Sequence, residues 1–113
     1  MTESCLFCRI VRKEIPAKIV LENELVVAFR DIDPKAPTHV VVVPREHVAS
    51  LDHATDARML GALQLAAAEI ARAEGIVAGG YRTVMNCGAD AGQTVFHVHL
   101  HLLGGRKLGW PPG

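Results

Sequence analysis

Three of the chain's six histidines, His97, His99 and His101, occupy every second position of the segment 93–103, with Val98, Leu100 and Leu102 between them. Such alternation over four to eight residues marks a half-buried strand. Successive side chains of a strand point to opposite faces, so the imidazoles share one face and the aliphatics enter the core on the other. Neighbouring imidazoles would then stand roughly 6.6 Å apart, from a rise of about 3.3 Å per residue. A row of polar residues on a wet strand face is the competing reading, but Thr, Lys or Glu would serve there equally well. Three titratable, ligand-capable rings in succession argue for a functional face, suited to a metal or a small multi-oxygen anion.

The rest of the chain can build a core for that strand. Its 113 residues are a single-domain length, 1–113, and half of them are apolar. Residues 5–13 read as a short helix with an apolar stripe of Leu6, Phe7, Ile10 and Val11, closed by Pro16. Two β-branched-rich runs, 18–21 and 25–29, flank the polar connection 22–24, as in a hairpin. The loop 31–37 carries Pro34 and Pro37 and cannot be regular, which makes it a candidate ligand rim. Thr38 to Pro44 is an apolar run expected as a buried central strand. From about Thr55 to Glu74 the period becomes helical, with Met59, Leu60, Leu63, Ala66, Ala67 and Ile70 on one side and Gly75 at the C-cap position. Tyr81 to Asn86 alternates as a strand, and the glycine-bearing loop 88–92 leads into the histidines. The fold class expected is α+β: a mainly antiparallel five-stranded sheet with one long and one short helix packed on one face.

Twelve basic residues balance twelve acidic ones without long blocks of either sign, so the footprint of a nucleic-acid polymer binder is missing. No apolar stretch reaches membrane-spanning length and the start resembles no signal peptide, which makes the cytoplasm the default compartment. Three cysteines, an odd number, argue against a disulfide framework. Cys5 and Cys8 form a C-x-x-C pair that could supply half of a zinc tetrahedron from the first turn of a helix. A redox dithiol normally follows a strand, and only four residues precede Cys5; two simply buried thiols are the remaining alternative. Cys87 reads as packing and His53 as a surface residue.

A histidine row fits two chemistries. The rings could hold a catalytic zinc and its water, or one ring could attack phosphorus while its neighbours bind the phosphate oxygens and move a proton. Around the row stand uncharged donors and flexible backbone, Asn86, Gly88, Gly92, Gln93 and Thr94, while Asp90 is the one carboxylate nearby to orient metal-bound histidines. That balance favours the phosphate.

His97 to Leu103 matches in full the His-φ-His-φ-His-φ-φ pattern, φ being apolar, of the histidine triad family. The resemblance extends over nearly the whole chain, through Cys5-x-x-Cys8-Arg9-Ile10, Glu14 to Lys18, Asp31-Ile32, Pro37-Thr38-His39 and Gly104-Gly105-Arg106. The ending Trp110-Pro111-Pro112-Gly113 and the Ile15 to Lys18 segment resemble the branch of histidine triad nucleotide-binding proteins. The resemblance implies a hydrolase of purine nucleoside 5'-phosphoramidates or acyl-nucleotides, working through a nucleotidyl-histidine and needing no cofactor for catalysis. By the same likeness His99 is the nucleophile, His101 serves the phosphate and leaving group, and His39 supports the nucleophile. Asn86, Gln93 and Thr94, with Gly92 and Val95 beside them, would meet the phosphate or leaving group. Thr94 stands where the family usually has Ser. Asp31 and Ile32 would hold the ribose and flank the base, and Phe7, Ile10 and Phe29 would wall the purine. Relatives that carry the C-x-x-C pair complete a structural zinc site with histidines at the positions of His47 and His97. Such proteins are homodimers whose sheets run together, and whose tail, here 104–113 with Trp110, reaches the partner's active site. A dinucleoside polyphosphate hydrolase, a nucleotide-binding module with incidental hydrolysis and a zinc hydrolase are the alternatives.

Overall fold

A computed structural model describes residues 2–113. Seven regular elements follow the expected order: α1 (Leu6–Val11), β1 (Ile19–Glu22), β2 (Val26–Arg30), β3 (Thr38–Pro44), α2 (Ala57–Glu74), β4 (Tyr81–Val84) and β5 (Leu100–Gly104), with single 3-10 turns at Thr2–Ser4 and Leu51–His53. The strands form one antiparallel sheet in the order β1-β2-β3-β5-β4. Its centre is β3, in which all seven residues are buried.

α2 begins at Asp56, whose carboxylate accepts from the amides of Arg58 (2.9 Å) and Met59 (3.3 Å), satisfying donors that the first turn leaves open. It ends at Gly75, held at φ 73°, a left-handed conformation that costs glycine nothing. Its stripe of Met59, Leu63, Ala66, Ala67, Ile70 and Ala71 packs on Val26, Ala28, Val40, Val42, Leu100 and Leu102. The alternate residues Val27, Phe29, Val41 and Val43 face the other way and pack with Cys5, Phe7, Cys8 and Ile10 of α1 and its cap. The two helices therefore lie on opposite faces of the sheet, not on one face as expected. Covering both faces explains why β2 and β3 read as unbroken apolar runs and not as alternating ones.

The histidine segment also differs from expectation. Ladder pairing begins only at Leu100, so His101 alone of the three is in β5, while His97 and His99 precede it in irregular backbone. The alternation nevertheless holds: Val98, Leu100 and Leu102 enter the α2 core, and the imidazoles point to the α1 side. That side is not wet, for His97 is 0% and His99 7% exposed. No described helix is long and apolar enough to cross a membrane.

Candidate active site

A cleft of about 600 Å³ opens on the α1 face of the sheet. Phe29 from β2, Val41 from β3 and the rings of His39, His99 and His101 line its depth. Phe7 and Ile10 of α1 with Ile15 to Ala17 line one side, and Asp31, Ile32, Asp33 and Lys35 from the proline loop another. Asn86, Gly92, Thr94 and Val95 come from the segment before the histidines.

Main-chain groups decide which nitrogen of His99 and His39 carries a proton, and His39 then decides it for His101. His99 Nδ1–H donates to the carbonyl of His97 at 2.7 Å, a partner that can only accept, so Nε2 keeps its lone pair. The ring is wedged edge-on between Phe7 and His101, each with its centroid 5.0 Å away. His39 is set the opposite way: the amide of Lys35 donates to its Nδ1 at 3.0 Å, so the proton sits on Nε2. Register places His101 opposite Val41 and His39 opposite Leu103, which makes the two histidines diagonal neighbours on one face. His39 Nε2–H donates to His101 Nδ1 at 2.9 Å, leaving the His101 proton on Nε2. Asp31 Oδ2 lies 3.4 Å from His39 Nε2. Burial holds His39 below the usual histidine range, and burial together with neighbouring His99 and His39 takes His101 down to about 4. Both are neutral at pH 7, and His101 is a neutral donor.

Asp31, His39 and His101 bring three potential ligand atoms within 4.8 Å of one another, yet they do not suit a metal. A cation on His39 Nε2 would drive that ring's proton to Nδ1, where the Lys35 amide already donates. The trio is a hydrogen-bonded chain running from the Lys35 amide through His39 to His101, with the Asp31 carboxylate beside it.

A second group, Cys5, Cys8, His47 and His97, has its four donor atoms within 4.8 Å. His97 Nδ1 lies 3.4 Å from Cys5 Sγ and 3.5 Å from Cys8 Sγ; His47 Nδ1 lies 3.3 Å from Cys8 Sγ and 3.2 Å from His97 Nδ1. A tetrahedral zinc with ordinary bond lengths would need about 3.6 Å between sulfur and nitrogen and about 3.3 Å between nitrogens. His97 Nε2–H donates to the Pro44 carbonyl at 2.9 Å, which leaves Nδ1 free to ligate and fixes the ring in the manner of metal-bound histidines. The donor set, two sulfurs and two imidazoles, is that of a closed zinc site, and the residues fit the ion. Without a cation, burial and the hydrogen bond with Cys5 push the Cys8 thiol up to about 11.

Nearly all the expected site residues thus gather in one of two places: Phe7, Ile10, Phe29, Asp31, Ile32, His39, Asn86, Gly92, Thr94, Val95, His99 and His101 in the cleft, and the four ligands in the cluster. Two lie elsewhere. Gln93 is 6% exposed and its amide is spent on the backbone, Oε1 accepting from Gly88 N (2.9 Å) and Nε2 donating to the carbonyls of Ala49 (2.9 Å) and Val95 (3.0 Å). It shapes the loop that borders the cleft and does not face a ligand. Trp110 lies outside the cleft, 81% exposed above the Arg82 guanidinium. His39, expected on the nucleophile, touches His101 instead. The Lys35 amide and Val41 carry no signal in the sequence; the proline loop reads as a rim, but only the fold brings its amide to His39.

The HIT domain model matches residues 12–108. The chain belongs to the HIT family. It is 51% identical to an uncharacterized HIT-like protein of Synechococcus elongatus over the full length of both. It is 46% identical to the purine nucleoside phosphoramidase of Escherichia coli K12, across 96% of this chain and 93% of that one. The crystal structure of a HIT family hydrolase from Legionella pneumophila superposes with a TM-score of 0.95 at 46% identity, covering 97% of this chain and all of the other.

Proposed function

We propose that this HIT-family hydrolase cleaves the P–N bond of purine nucleoside 5'-phosphoramidates and releases the nucleoside monophosphate. The observation that carries the reading is the 2.7 Å hydrogen bond from His99 Nδ1 to the His97 carbonyl, which leaves an unprotonated Nε2 in the cleft beside a neutral N–H donor. His99 Nε2 attacks phosphorus, the P–N bond breaks, and the departing amine takes a proton from solvent while His101 Nε2–H donates to a phosphate oxygen. His39 Nε2–H holds His101 Nδ1 as an acceptor and so keeps the His101 proton on Nε2, facing the phosphate. Water then attacks the nucleotidyl-histidine and restores His99. A nucleophile relieved of its proton by geometry needs no strong base at neutral pH. Phe7, Ile10 and Phe29 receive the base, Asp31 and Ile32 the ribose, and Asn86, Gly92, Thr94 and Val95 the phosphate and leaving group. A volume of about 600 Å³ falls within the span common for small-molecule sites. The purine and the amine leaving group are supported by the name of the Escherichia coli relative.

The proposal includes a structural zinc on Cys5, Cys8, His47 and His97, which when bound would tie the start of α1 to the end of β3 and to the segment before β5. It also includes a homodimer whose sheets meet at β4, one of the two edge strands, paired only with β5. Trp110 would then reach the partner's cleft.

Mass spectrometry of protein quenched during turnover of a panel of phosphoramidates, with a dinucleoside polyphosphate included, tests the reading. The expected result is a nucleotidyl adduct on the peptide holding His99, absent from His99→Gly, which still binds the monophosphate. Near-normal turnover in His99→Gly, or preference for the dinucleotide, would overturn it.

A further inference from the structure

His97 belongs to both sites at once. Its ring completes the sulfur and imidazole cluster and is pinned to the Pro44 carbonyl, while its own carbonyl takes the Nδ1–H of His99. That carbonyl lies in irregular backbone, outside the ladder that starts at Leu100, so its direction is not set by strand pairing. The same peptide unit is held at its other end by Val98 N–H, which donates to the Val48 carbonyl at 2.7 Å. Val48 follows His47, another member of the cluster. Two of the four potential ligands therefore frame the one peptide that orients the nucleophile, His97 directly and His47 through its neighbour.

We infer that the Cys5–Cys8–His47–His97 cluster is a positioning device for His99, so that cation binding at the cluster and nucleotide chemistry in the cleft are coupled through the 97–98 peptide. The inference rests on His99 being the nucleophile. With the cation in place, His97 and His47 are fixed, the peptide is fixed between them, and His99 keeps one tautomer and one ring direction. With the cluster empty, the ring of His97 retains the Pro44 carbonyl, the contact with His47 Nδ1 and weaker contacts to thiols, none of them as firm as a metal bond. The His99 Nδ1–H then finds its acceptor for only part of the time. Coupling is reciprocal in binding, so a nucleotide that engages His99 must in turn perturb a cation held by His97.

Nitrogen NMR of the full chain with labelled histidine reports the tautomer directly, with His99→Asn for assignment. On zinc addition to chelator-treated protein at constant pH, His99 should move from a mixture to the single form with a proton on Nδ1. Metal removal should slow formation of the His99 adduct at least about ten-fold, the scale of effects from groups that orient a reacting residue, and should weaken monophosphate binding as well, as reciprocal coupling requires. An unaltered His99 signal and adduct rate in folded, metal-free protein would overturn the inference. If the metal-free chain does not stay folded, cobalt(II) in place of zinc serves: adding adenosine monophosphate must shift the cobalt ligand-field spectrum, and an unchanged spectrum at saturating nucleotide would equally overturn it. An adduct on a residue other than His99 would sink the assignment of the nucleophile, while the response of His99 to zinc would still be read separately.

Discussion

Three histidines of this chain owe their proton positions to three main-chain groups: the His97 carbonyl for His99, the Lys35 amide for His39 and the Pro44 carbonyl for His97. A backbone group cannot change from donor to acceptor, so tautomers set in this way survive most side-chain substitutions. The side-chain link between His39 and His101 is more fragile. His39→Ala removes the donor to His101 Nδ1 and should lower turnover on the order of 10-fold, the scale of effects from groups that orient a reacting residue. Monophosphate affinity, read by calorimetry, should change little. Gln93→Glu addresses the loop beside the cleft. A carboxylate cannot donate to the Ala49 and Val95 carbonyls and would be buried against both, so urea unfolding should show a loss of about 2 kcal/mol or more.

At the scale of elements, α2 builds stability and α1 builds the site. Leu63 is fully buried against the far face of the sheet. Leu63→Ala should destabilise the fold by about 2–5 kcal/mol, measured by denaturant unfolding, with no change in nucleotide affinity. Both β3 and α2 were legible in the sequence, β3 residue for residue and α2 from about Thr55 to its cap glycine Gly75, two residues early at its start, because proline and glycine end them. The short helix was legible as a helix, but its six residues carry no sign of which face of the sheet they cover. The histidine segment kept its alternation but is a paired strand only from Leu100 on, since extended backbone alternates whether or not a neighbour pairs with it. Gln93 looked like a phosphate ligand because an amide reads the same whether it turns inward or outward. The convergence of Cys5, Cys8, His47 and His97 was legible only through the resemblance to the histidine triad family, since Cys8 and His47 are 39 residues apart in the chain and meet through tertiary packing.

For the molecule as a whole, buried neutral histidines imply acid sensitivity. His101 takes its proton at about 4 in the folded chain and near 6.5 when unfolded, and His39 is depressed in the same direction, both chiefly by burial. Asp31 pulls the other way on each, and His99 and Lys35 add to the depression. The unfolded state therefore binds more protons below pH 6.5. The stability these groups contribute is fully present above that value and is lost as pH falls toward 4. Unfolding free energies at pH 7.5, 6 and 5 should decline progressively, and less steeply in His101→Asn. Under the proposed dimer, Trp110→Ala should alter the ranking of leaving groups in steady-state turnover while sedimentation still gives two chains per particle.

The two-sided burial of β3 has a consequence for length. Its even residues serve the α2 core and its odd ones, His39 among them, serve the cleft. Loss or gain of a single codon within 38–44 would exchange the two sets, turning valines into the cleft and the His39 imidazole into hydrocarbon. This strand can accept many spellings but only one word length.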